Sequence, residues 1–90
     1  MSLQSRMREK LMISLNPTRL DVVNESHLHA GHASSPGTGE SHFRVLVVST
    51  DFEGKSRVER HRIVNELLKD ELRDGVHALA IKALAPGEGI

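Results

Sequence analysis

His27, His29, His32 and His42 bracket a stretch rich in Gly, Ser and Pro, and His77 sits in the apolar run Val76-His77-Ala78-Leu79-Ala80-Ile81. Imidazole is the commonest metal ligand among protein side chains and the one whose charge changes near neutral pH. Histidines in a loop and at a strand start offer ligands from two places. The chain has six histidines and no cysteine, so it brings nitrogen donors and no thiolate. Any iron–sulfur or soft-metal site it serves must therefore borrow ligands from another molecule. Taken alone, His27-x-His29-x-x-His32 also suits a solvated polar loop, and His77 also suits a hydrogen-bonded structural residue. His42, just before an apolar strand, reads as structural or as a hydrogen-bonding neighbour of the loop.

Other groups are weaker candidates. Lys55, Arg57, Arg60 and Arg62 cluster at a helix start and could meet phosphates, but Asp51, Glu53 and Glu59 balance them. Between two arginines, His61 reads as a neutral structural ring rather than a ligand. Gly54-Lys55-Ser56 resembles the end of a phosphate-binding loop, yet that motif needs a glycine where this chain has Ser49. Glu66 and Asp70 lie one helical turn apart on an exposed face and read as solvation. No Ser/His/Asp constellation supports hydrolysis, so a non-enzymatic binding module is expected.

The elements that must position these groups are legible from periodicity. Met7, Leu11 and Leu15 recur on one helical face, and Asn16-Pro17 ends that helix because the residue before proline is pushed out of the α region. Leu20–Val23 reads as a first strand. His27–Ser41 carries Gly31, Pro36, Gly37 and Gly39, which exclude regular structure and predict a flexible loop. His42–Ser49 is the clearest strand, with Phe43, Val45 and Val47 on one face. Asp51-Phe52-Glu53-Gly54 turns the chain. Ser56-Arg57-Val58-Glu59 fits a capping box, and Ile63, Val64, Leu67, Leu68 and Leu72 continue a helical stripe to a stop at Gly75. Residues 57–73 suit one helix or two. Val76–Leu84 is the last strand, followed by a short tail, 85–90.

This order, α-β-β-α(α)-β, predicts a two-layer α+β domain with a mixed three-stranded sheet and helices on one face. The first two strands, joined directly, should pair antiparallel. The strand after the helical crossover should run parallel to one of them.

Several segments resemble the BolA-like family: Asn24-Glu25-Ser26-His27, Glu40-Ser41-His42-Phe43, Phe52-Glu53-Gly54-Lys55-Ser56, Arg60-His61-Arg62 and Val76-His77-Ala78-Leu79-Ala80-Ile81. The resemblance runs from about Met7 to Leu84 and treats residues 1–90 as one domain with its core at about 7–84. It implies an α-β-β-α-α-β fold of class II KH-like type. It also implies a monothiol glutaredoxin partner carrying Cys-Gly-Phe-Ser and a [2Fe–2S] cluster bridging the two proteins, with the thiolates supplied by glutaredoxin and glutathione. By that resemblance His77 is a cluster ligand. The loop ligand is His29, with His32 as substitute and His27 as third choice; the loop cysteine of other members is absent. Imidazole ligation would raise the cluster's reduction potential relative to thiolates and weaken in acid. The resemblance further implies, as an alternative, a DNA-binding transcriptional regulator of morphology and stress responses.

Composition narrows the rest. Lys plus Arg equals Asp plus Glu, 12 against 12, so no global field draws the chain to nucleic acid or membrane. Phe43 and Phe52 are its only aromatic side chains apart from histidine, leaving few platforms for stacking bases. No stretch resembles a signal peptide or a membrane span. The expectation is a soluble, cytoplasmic protein, monomeric alone or a weak homodimer.

Overall fold

A computed structural model of the protein describes residues 2–25 and 42–88. Helix α1 (Leu3–Leu15) begins at Ser2, whose hydroxyl accepts a hydrogen bond from the Ser5 N–H at 3.1 Å. It ends at Asn16, in the left-handed region at φ 43°, a conformation that Asn tolerates better than most residues. Strands β1 (Arg19–Asn24) and β2 (His42–Val48) pair antiparallel. A 3₁₀ turn (Thr50–Phe52) then leads to α2 (Arg57–Leu67), α3 (Lys69–Asp74) and β3 (Ala78–Leu84). The sheet order is β1-β2-β3, with β3 parallel to β2. The mixed three-stranded α+β arrangement read from the sequence is the one observed.

One open boundary is resolved, and two strand ends move inward from expectation. Residues 57–74 form two helices, because the chain breaks at Leu68, whose φ and ψ of −103° and 13° leave the helical region. Leu68 is fully buried, and the break lets α2 pack on β3 while α3 packs against α1 and α2. The last strand starts at Ala78 rather than Val76: Gly75, at φ 152°, ends α3, and the Val76 N–H bonds back to the Glu71 carbonyl at 3.2 Å. Val76 and His77 therefore belong to the helix exit. Ser49 is not part of β2. Its buried hydroxyl donates to the Leu15 carbonyl at 2.7 Å and accepts from the Asp51 N–H, and its own N–H bonds the Leu84 carbonyl. One side chain and its amide thus tie the ends of α1, β2 and β3 together.

The core lies between the helices and one sheet face. Met7, Leu11 and Leu15 of α1 and Val64 and Leu68 of the crossover meet Leu20, Val22, Phe43, Val45, Val47 and Ala83. Phe52 of the 3₁₀ turn is also fully buried there. The predicted capping box is present: the Ser56 hydroxyl accepts from the Glu59 N–H while the Glu59 carboxylate accepts from the Ser56 N–H. These bonds hold the Glu59 carboxyl below its ordinary range. Among the described residues no helix is long and apolar enough to cross a membrane.

Glu71 is a core residue that hydrophobic periodicity passes over. Its side chain is fully buried, its Oε1 accepts from Lys10 Nζ at 3.0 Å, and its Oε2 lies 3.0 Å from Arg6 Nη2. That second contact is an ion pair outside hydrogen-bond geometry, which leaves Oε2 without a donor. Arg6 also donates to Asp74, which, with Arg73, draws the Asp74 carboxyl below its ordinary range. Both cations reach in from partly exposed positions, so they can return to water, whereas the carboxylate cannot. Glu71→Gln should lower stability by about 1–3 kcal/mol. The double variant Arg6→Met/Lys10→Met should lower it further, because the group left without a partner is then the buried charge. Urea midpoints in the reverse order would refute this account.

Candidate functional site

The three strands end together on one side of the sheet. Asn24 of β1 lies opposite Phe43, and His42 lies opposite Ala78. The Glu25 N–H bonds the His42 carbonyl at 2.8 Å, and the Glu25 carboxylate pairs with Arg44 at 3.2 Å. The segment 26–41 therefore leaves and rejoins the sheet at neighbouring positions. One strand further across, His77 precedes Ala78 with its ring exposed to solvent. Buried Val76 and the Val76–Glu71 backbone bond fix the chain immediately before it. The fold thus presents His77 beside Glu25 and His42, which bound segment 26–41, within two strand spacings, ~10 Å.

His27, His29 and His32 lie outside the described residues, as does the whole predicted loop 27–41. Among the described residues no three His, Cys, Asp or Glu side chains gather to hold a metal ion. His42 opens β2, in register with Ala78. Its side chain alternates with buried Phe43 and so belongs to the sheet face away from the helices.

The basic cluster divides. Lys55, Arg57 and Arg60 line a groove of about 580 Å³ between α2 and β3, together with His61 and Lys82. Arg62 is exposed but is not part of its wall. Arg60 is committed to holding the chain: its Nε donates to the Lys55 carbonyl, its Nη1 to the Ala83 carbonyl, and its Nη2 to Glu88 at 3.0 Å. Glu88 also accepts from the Ala85 N–H at 2.9 Å. The sequence reading passed over this clasp, because nothing in residue spacing ties position 60 to position 88.

A family model described as BolA-like protein matches residues 11–88. A protein of Sinorhizobium sp, "Uncharacterized protein in cobS 5'region", is 55% identical over 98% of this chain and 96% of its own length. "Protein BOLA1, chloroplastic" of Arabidopsis thaliana is 49% identical over 93% of this chain and 54% of its own length. The solved "BolA domain of SufE1 from Arabidopsis thaliana" superposes with a TM-score of 0.87 at 47% identity, covering 99% of this chain and 98% of that one. The chain belongs to the BolA-like protein family. It spans nearly all of the bacterial relative but only about half of the plant protein.

The Arg60 guanidinium, then the Ala85 N–H, hold the Glu88 carboxyl down to about 2 from an ordinary 4.5. A carboxyl depressed by folding stabilises above its unfolded value and loses that contribution as pH falls through the folded one. The C-terminal turn should therefore loosen between about pH 4.5 and about 2. A carboxyl-carbon NMR titration should place the Glu88 midpoint well below the ordinary value of 4.5, near about 2. In Glu88→Gln the acid-dependent rise in Ala85 amide exchange should disappear; its persistence would exclude the clasp as the cause.

Proposed function

We propose that this protein is a binding module that docks on a monothiol glutaredoxin and shares a [2Fe–2S] cluster with it, in cluster trafficking or iron-status sensing. His77 and one loop histidine, His29 or His32, supply the nitrogen ligands. What carries the reading is the exposed ring of His77 at the sheet end from which segment 26–41 departs and to which it returns. The donor set suits the group. A chain without thiols can complete such a cluster only beside a partner that supplies sulfur, and an exposed imidazole at the molecular edge is accessible to one.

Covalent reach permits the pairing. His29 is four residues beyond Glu25, a span of up to about 14 Å when extended, against the roughly 10 Å between neighbouring strand ends and His77. When bound, the cluster would supply electron-transfer or cluster-donation chemistry at a potential raised by imidazole ligation. The protein's own part is positional. Val76 anchors the backbone before His77, and the Glu25–His42 and Glu25–Arg44 contacts hold the base of the loop.

Co-expression with a Cys-Gly-Phe-Ser glutaredoxin, followed by anaerobic purification, should yield a heterodimer with the visible absorption and circular dichroism of a [2Fe–2S] centre. His77→Ala should shorten the cluster lifetime by roughly tenfold or more, His77→Cys should restore it, and His61→Ala should leave it unchanged. A spectrum and lifetime indifferent to His77→Ala would overturn the ligand assignment.

A further inference from the structure

β3 is an edge strand, with β2 on one side and no strand on the other among the described residues. The Leu84 carbonyl points to β2, where it accepts from the Ser49 N–H. Alternation along a parallel ladder therefore turns the N–H and C=O groups of Leu79, Ile81 and Ala83 outward. The bond from Arg60 to the Ala83 carbonyl agrees with that parity.

The Arg60–Glu88 clasp has a further property. It places a donor on the Ala83 carbonyl and an acceptor on the Ala85 N–H, the two bonds that one residue of a parallel neighbouring strand would make. The clasp thus occupies the last position of a missing fourth strand. Upstream of it, among the described residues, no partner meets the outward groups of Leu79 and Ile81.

The groove beside this edge is cationic. Lys55, Arg57, His61 and Lys82 line it, and no carboxylate does. Glu88, which bonds the groove residue Arg60, is captured by it, and Glu59 is held in the capping box. Both observations describe the same occupant, with a backbone that pairs with the edge and acidic side chains that answer the walls. We propose that the free edge of β3 takes an extended acidic segment of a partner protein as an added strand, with Lys82, Arg57 and Lys55 meeting its carboxylates. A polypeptide suits this surface better than a nucleic acid. The edge offers backbone amides and carbonyls in strand register, and Phe43 and Phe52 are both buried, which leaves no aromatic platform for bases.

The free edge begins at Leu79, two residues beyond His77, but needs no bound cluster, so it does not depend on the cluster reading. The test uses the full chain, labelled with nitrogen-15, and a capped seven-residue peptide alternating glutamate and valine. Shifts and slowed amide exchange are expected at Leu79, Ile81 and Ala83, with affinity falling as salt rises. Lys82→Glu and Arg57→Glu should each weaken binding by about tenfold, a change on the order of 1.4 kcal/mol. Glu88→Gln, which releases the clasp, should strengthen it several-fold. The proposal fails if the peptide leaves these amides unmoved or if a lysine–valine peptide binds equally well. It also fails if a DNA duplex moves them while the acidic peptide does not.

Discussion

The parallel pairing of β3 with β2 is the constraint on which the molecule's organisation depends. A parallel neighbour cannot be reached by a tight turn, so the chain must cross over the sheet before returning, and here α2 and α3 make that crossing. The crossing supplies the second half of the core, Val64 and Leu68, and it delivers His77 to the end of the sheet where β2 begins. Had β3 joined β2 antiparallel, His77 would lie at the opposite end, beside Ser49. The register His42–Ala78 thus sets both how the apolar faces close and which groups stand beside the loop.

Two polar anchors hold that arrangement where hydrophobic contact alone would let it slide. Ser49 satisfies the last carbonyl of α1 and, through its amide, binds the end of β3. Glu71 draws Arg6 and Lys10 of α1 onto α3. A carboxylate in an apolar core is a poor source of net stability, because its desolvation offsets much of the attraction. It does, however, strongly disfavour any packing of α3 in which the two cations cannot reach it. The helix pair is thereby held in one orientation, and the backbone leading to His77 leaves α3 in one direction.

The two ends of the sheet are consequently different surfaces. One carries His77, the base of the loop and the Glu25–Arg44 pair. The other carries the Arg60–Glu88 clasp and the cationic groove along the β3 edge.

Much of the fold was legible from local rules. Met7, Leu11 and Leu15 mark a helical face, Asn16-Pro17 closes it, and Phe43, Val45 and Val47 alternate as a half-buried strand must. Ser56 with Glu59 and Gly75 punctuate the crossover, since caps and left-handed positions depend only on neighbouring residues. The break at Leu68 was not legible, because an apolar residue on a continuous stripe looks the same in one helix or two. Glu71 was passed over because it is charged, although its place one turn beyond Leu68 put a carboxylate on the buried stripe, which was the available signal. By itself the sequence determined the order of helices and strands, which follows from residue type and short-range spacing, and its segments carried the resemblance to the family. Only the tertiary structure decided that His77 stands exposed beside Glu25 and His42, that Glu71 is buried against two cations, and that Arg60 closes on Glu88. Those facts depend on groups distant in sequence meeting in space, and local periodicity carries no record of such meetings.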